Sequence, residues 1–154
     1  MTAKDVMSTK VVAVSDNATV AAAARLMHAS GHGGLPVLGE GGKVVGVLDR
    51  ISLLRLMLPR YAEDIGDLAF LPEDFRAFEK HIAEIGGMSV RDVMRPCDMS
   101  ATEDTPLVEI AALMVLKHAQ DVPILRDESL VGIVGLQDVV DEIVWPHFNR
   151  GEEG

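Results

Sequence analysis

Apolar positions recur along the chain at helical spacing, and they do so twice. Val20, Ala23, Ala24 and Met27 stand at i, i+3, i+4 and i+7, and Leu107, Ile110, Ala111 and Met114 repeat the pattern. That period predicts two helices, each with one buried face. Thr105 followed by Pro106 predicts the start of the second, a capping hydroxyl and then Pro at the first helical position. Gly31 predicts the end of the first. A short apolar run precedes each helix, at Val11–Val14 and Met99–Ala101. Two strand-like runs follow each. Leu35–Leu38 and Val44–Leu48 flank a Gly-rich connection, and Val122–Leu125 and Leu130–Val134 flank Arg126–Ser129, so each pair predicts a hairpin or tight turn. A last helix is predicted over Leu53–Leu58 and again over Val139–Val144. Both halves therefore read β-α-β-β-α.

The similarity extends to residue identity. From Asp5 and from Asp92 the two halves align at an offset of 87 residues, with Val6/Val93, Met7/Met94, Leu26/Leu113, Met27/Met114, Pro36/Pro123 and Leu38/Leu125 identical. After one deletion Gly46 stands opposite Gly132. The chain is thus two copies of one unit. A small sheet with helices on one face leaves apolar surface uncovered, so the copies are expected to pack together as one pseudo-twofold module of the α/β (α+β) class. The expected organisation is repeat 1 at 1–58, a helical insertion at 59–87, repeat 2 at 88–148 and a tail at 149–154. In the insertion Phe75, Phe78, Ile82 and Ile85 form a helical stripe. Pro72, Glu73 and Asp74 suit its start, and Gly86 and Gly87 its end. Two readings stand: a helix covering the module's own core, or a partner surface, since Phe70, Phe75 and Phe78 all fall there.

Composition narrows the function classes. Lys and Arg number 14 against 24 Asp and Glu, a formal charge of −10 in 154 residues. A net negative surface opposes general nucleic-acid binding, which rests on phosphate neutralisation. Aromatic residues are only 4%, too few for a stacking platform. Cys97 is the one cysteine, so neither an internal disulfide nor CxxC zinc spacing is available. The N-terminal residues show no apolar core of a signal peptide, and no run approaches the roughly 18–20 apolar residues of a membrane span. A cytoplasmic protein without membrane contact is the expectation.

The ordered set of short motifs carries a family resemblance. Val-Met near the start of each copy, Gly34-Leu35-Pro36-Val37 and Asp121-Val122-Pro123-Ile124, and the closing runs Gly46–Ser52 and Gly132–Asp138 resemble a tandem pair of CBS domains, the cystathionine β-synthase-type regulatory domain. The resemblance covers nearly all of the chain except the insertion and the last residues. It implies a module with two clefts between the copies, binding in many members of an adenosyl ligand such as AMP, ADP, ATP or S-adenosylmethionine, and association as a homodimer.

The closing motif has its own physical logic. A helix starting just after a strand offers free amides and a positive dipole end to a phosphate. In the family the motif carries a hydroxyl that meets the phosphate and, three residues later, an Asp that accepts both ribose hydroxyls. Both copies depart from it. In the second, Asp138 stands at the ribose position but Gly135 replaces the hydroxyl. In the first, Asp49 stands at the hydroxyl position and Ser52 at the ribose position. Asp49 would repel a phosphate, and Arg50, Lys10 and Arg95 are the cations that could offset it. The resemblance thus implies a principal ligand site at Asp138, Gly135 and Leu136, with Gln120, Val122, Pro123, Pro96 and Cys97 beside it. A weaker one is implied at Asp49, Arg50, Ser52, Gly34, Leu35, Pro36 and Lys10.

Each of these residues also has a plain reading. Asp138 and Asp49 are good helix caps without any ligand. Pro36 and Pro123 set a turn. His28 and His32 are four apart, but Gly31 ends the helix between them and no third ligand is evident, so no metal is expected. Cys97 lacks a motif that would depress its pKa. Nucleophile-elbow, zincin and P-loop runs are absent, so no enzyme is expected. The reading is a regulatory module that binds an adenosyl compound and signals through dimer conformation to a separate protein. Its alternative is an assembly module without a small ligand.

Overall fold

The computed structural model describes residues 1–58 and 76–151. Phe70, Pro72, Glu73, Asp74 and Phe75, and with them the aromatic surface expected in the insertion, lie outside the described residues. In chain order, α1 (Ala3–Val6), β1 (Val14–Ser15), α2 (Val20–Ser30), β2 (Gly34–Leu38), β3 (Val44–Asp49) and α3 (Arg50–Met57) come first. Next come α4 (Arg76–Gly86), α5 (Val90–Val93), β4 (Ala101–Thr102), α6 (Leu107–Lys117), β5 (Asp121–Arg126) and β6 (Ser129–Gly135). α7 (Leu136–Val139), a π-helical turn at Val140–Val144 and α8 (Trp145–Phe148) complete the order. The result is a mixed α/β fold with two three-stranded sheets, ordered β1-β2-β3 and β4-β5-β6.

The two long repeat helices follow their patterns. In α2 Val20, Ala23 and Met27 are buried, the Thr19 hydroxyl accepts from the Ala22 N–H at 3.1 Å, and Gly31 closes the helix in the left-handed region. In α6 Leu107, Ile110 and Met114 are buried, and His118 takes the left-handed position that Gly31 holds in the first copy. The start of α6 differs from expectation: Pro106 is the cap residue, and the Thr105 hydroxyl accepts from the Thr102 N–H at 3.0 Å. That hydroxyl therefore serves the preceding turn rather than the helix.

The leading strands are shorter and later than predicted. Val14 and Ser15 pair in parallel with Val37 and Leu38, and Ala101 and Thr102 pair with Ile124 and Leu125. Pairing stops just before Pro36 and Pro123, which have no N–H to offer a neighbouring strand. The hairpin is as expected: β5 and β6 are antiparallel, and Asp127 and Glu128 make the turn with positive φ. The last helices begin earlier than the predicted Leu53 and Val139, directly at the strand ends, because Asp49 and Gly135 already serve as their cap residues.

The chain forms two compact units that do not coincide with the sequence repeats. One comprises Val12–Gly39 and Val45–Pro96, the other Met1–Val11, Glu40–Val44 and Cys97 onward. Each unit takes its leading strap from the other repeat. In the first, Val90 N–H donates to Ala18 O at 2.8 Å and Arg91 N–H to Asp16 O at 3.0 Å. In the second, the equivalent residues Ala3 and Lys4 donate to Thr105 O and Glu103 O at 2.9 and 3.0 Å. The short helices α1 and α5, not predicted from the pattern, belong to these straps.

Each unit has its own core. Ala23, Leu35, Val37, Leu48 and Val90 are fully enclosed in the first, and Ile110, Val122, Ile124 and Val134 in the second. Each enclosed Val, Leu or Ile side chain contributes roughly 1.5–3 kcal/mol. Helix α4 rests on α2 and α3, with Ile85 buried and Ile82 at the surface.

Candidate functional site

The two closing motifs form strand-to-helix junctions with matched backbones. In the first, the Arg50 N–H donates to Gly33 O at 3.1 Å; in the second, the Leu136 N–H donates to Gln120 O at 2.7 Å. These bonds draw the start of each last helix against the start of the neighbouring strand. Gly34, Leu35 and Pro36 line the first junction from β2, and Val122 and Pro123 the second from β5; all five are buried.

The side chains at the two junctions differ in a systematic way. In the first, Asp49 at the cap position accepts from the Ser52 N–H at 2.8 Å and from the Ser52 hydroxyl at 2.7 Å. In the second, the carboxylate stands three residues further on: Asp138 accepts from the Gly135 N–H at 3.1 Å. Each junction therefore carries one half of a capping box, and the halves are complementary. Ser52 is buried, whereas Asp138 is exposed.

The electrostatics separate them further. The Arg95 guanidinium pairs with the Asp49 carboxylate. The strap holds it there, since Arg95 and Val47 exchange backbone hydrogen bonds of 2.9 and 3.0 Å. Burial pushes the Asp49 carboxyl upward, but the hydrogen bonds from Ser52 and the charge of Arg95 outweigh it and hold the group below the ordinary carboxylate range. Arg50, expected as an offsetting cation, turns elsewhere: its guanidinium donates to Gly31 O at 3.2 Å, at the C-terminal end of α2. At the second junction Ser8 takes the backbone place of Arg95, exchanging bonds of 2.9 and 3.0 Å with Ile133, and brings no charge.

Two residues owe their place at the junctions to the fold rather than to a local motif. Arg95 is one of three cations near the motif in sequence, and only the fold brings it to Asp49. Asp121 opens the Asp121–Ile124 motif. It pairs in register with Gly135, and its Oδ1 lies 3.6 Å from where a Cβ on Gly135 would stand. The second junction thus sets the exposed Asp138 carboxylate beside a residue without a side chain, a group suited to accepting hydroxyl hydrogens.

The remaining expected residues separate. Lys10 is exposed and falls in the unit of the second motif, and Pro96 is exposed and falls in that of the first. Cys97 is half-buried and its Sγ donates to Met99 O at 3.2 Å. Among the described residues no three His, Cys, Asp or Glu side chains gather to hold a metal, and no helix is long and apolar enough to cross a membrane.

Comparison with known proteins agrees with this layout. The CBS domain family model matches residues 3–59 and 90–144. An uncharacterized protein of Methanocaldococcus jannaschii is 28% identical over 159 residues, covering 94% of this chain and 92% of that one. An inosine-5'-monophosphate dehydrogenase of the same organism is 27% identical over 99% of this chain, which spans 25% of that enzyme. Among solved structures, the CBS-pair protein CBSX2 of Arabidopsis thaliana superposes with a TM-score of 0.73 at 24% identity, covering 97% of each chain. CBSX2 has also been solved in complex with AMP; that structure gives a TM-score of 0.70 at 23% identity, with 95% of this chain and 98% of that one covered.

Proposed function

The chain belongs to the CBS-domain family, and from that premise we propose that it is a regulatory module that binds an adenosyl compound at the second closing motif. The observation that carries this reading is the exposed Asp138 carboxylate at the start of α7, in a junction free of the Asp49–Arg95 ion pair of the first. A carboxylate accepts both hydrogens of a ribose cis-diol. The adenine lies against the backbone of Gln120, Val122 and Pro123, and a phosphate beside Gly135 and Leu136 finds no side-chain hydroxyl, while the two amides expected to meet it are taken by Asp138 and by Gln120 O. Support comes from a relative of the same fold, CBSX2, solved with AMP.

The exposed Asp138 carboxylate near Gly135 disfavours added negative charge. Adenosine and S-adenosylmethionine therefore compete well with AMP and ADP, and ATP binds most weakly. The role is binding and signalling rather than turnover, through a homodimer, to a separate regulated protein. Exposed apolar side chains on α6 (Val115, Leu116) and at the C-terminal helical turns (Val144, Phe148) favour such association.

The same exposed apolar side chains would also serve a module that only assembles, and this is the second reading. A thermal-shift panel of AMP, ADP, ATP, adenosine and S-adenosylmethionine separates the two. A rise in melting temperature with the least-charged ligands, lost in Asp138→Ala, supports ligand sensing. No shift with any of them leaves assembly.

A further inference from the structure

The duplication leaves the same helical face bare in both units and gives it opposite charge. Arg25, His28 and Ala29 on α2 are exposed, and so are their counterparts Ala112, Val115 and Leu116 on α6. Leu54 on α3 and its counterpart Val140 are exposed too, at 52% and 39%. Exposed apolar side chains at matched positions mark an interaction surface. Helices α2 and α3 carry three arginines, Arg25, Arg50 and Arg55, and no Asp or Glu. From Leu136 to Phe148 the chain carries Asp138, Asp141 and Glu142 and no Lys or Arg. Among the described residues Arg25 and Arg50 pair with no carboxylate, and Asp141 and Glu142 with no cation. Arg50 and His28 stand together in a shallow depression of the first face, lined also by Ala24 and Met27.

We propose that each face is covered by the opposite face of a second copy: α2 and α3 of one chain lie against α6 and the C-terminal helical turns of its partner, in an antiparallel homodimer with two equivalent contacts. This inference rests on the homodimer of the proposed function and fixes its orientation. Charge decides between the two ways in which a twofold can pair duplicated faces. Like on like sets Arg25 and Arg50 against the same arginines, and Asp141 and Glu142 against the same carboxylates. Unlike pairing sets cation against carboxylate in both contacts and seats a carboxylate of the partner over the depression at Arg50 and His28. Leu54 and Val140 then supply apolar contact at its centre. Two copies that each carry −10 repel at a distance, so the basic α2–α3 face is where a second copy approaches at least cost.

Sedimentation velocity of the full chain at micromolar concentration tests it, with melting curves to confirm that each variant folds. The unaltered chain is expected at twice its mass. Arg25→Glu with Arg50→Glu makes both faces acidic, and Asp141→Lys with Glu142→Lys makes both basic. Each pair of changes should raise the dimer dissociation constant at least about a hundredfold. The chain carrying all four changes has its charges exchanged. It should dimerise like the unaltered protein, yet fail to co-purify with a tagged unaltered chain. Like-on-like pairing gives the reverse: neither double variant weakens the dimer, and the chain with four changes co-purifies with the unaltered one. That result, or a loss in the double variants without recovery in the chain with four changes, would overturn the antiparallel contact and leave the homodimer standing. A single-chain mass for the unaltered protein would overturn both. Thermal shift with AMP on the same samples reports on adenosyl binding independently of either.

Discussion

Met7 fills the space that Gly132 leaves open. A Cβ on Gly132 would stand 2.6 Å from the Met7 sulfur and 3.0 Å from its Cγ. The pseudo-equivalent pair repeats the relationship: a Cβ on Gly46 would stand 2.6 Å from the Met94 sulfur and 2.7 Å from the Arg95 carbonyl oxygen. In both cases a strap from one repeat lies across the strand of the other, and it approaches this closely only over glycine.

Gly132→Ala is expected to destabilise the fold by roughly 1–3 kcal/mol, the usual range for overpacking. The clash is with a flexible side chain, so Met7→Ala in the same chain should recover part of the loss. Gly46→Ala should cost more, because one clashing atom belongs to the backbone. Urea denaturation of the single and double variants checks both statements. Equal losses for the two glycines would contradict the strap geometry.

Asp49 makes stability depend on pH in a fixed direction. Its carboxyl is held below the ordinary carboxylate range, with burial opposing and Ser52 and Arg95 prevailing. A lowered folded-state pKa means the contribution is fully present above the unfolded value and is lost as pH falls through the folded one. The stability difference between the unaltered chain and Asp49→Asn should thus be constant near neutrality and shrink in strong acid. It should not exceed about 1 kcal/mol, since Arg95 is largely in water. Denaturation curves at pH 7 and pH 3 measure it.

Ile110 is fully enclosed in the second core, while Val115 on the same helix is 73% exposed. Ile110→Ala is expected to cost about 2–5 kcal/mol. Val115→Ala should change monomer stability by no more than about 0.5 kcal/mol. Unfolding in urea at a concentration that fixes the oligomeric state distinguishes them.

The exposed apolar positions on α6 and the last helix bear on association. Leu116 and Phe148 are 75% and 76% exposed. Light scattering at micromolar concentration should give about twice the chain mass of 16.6 kDa. Leu116→Glu with Phe148→Glu should shift that species to the single-chain mass, because a charge buried at an apolar contact is costly. A single-chain mass before any substitution would remove the dimer from the proposed function.

The division between sequence and tertiary structure is clear in particular residues. Hydrophobic period alone located α2 and α6, because burial of one helix face is a local, periodic demand on the chain. The matched Gly46/Gly132 and Met7/Met94 identities marked the duplication, and Asp49 and Asp138 were legible as caps because capping is settled within three residues. What the sequence did not determine was long-range. Straps Met1–Val11 and Met88–Pro96 exchange repeats because their hydrogen-bond partners, Thr105 O and Ala18 O, lie far along the chain. The shortness of β1 and β4 depended on where they meet Pro36 and Pro123 across the sheet. Above all, Lys10, Arg50 and Arg95 looked alike as possible partners for Asp49. Only the fold sent Arg50 to the end of α2 and brought Arg95 onto the carboxylate, because a charge selects its partner by distance in space, which spacing in sequence does not encode.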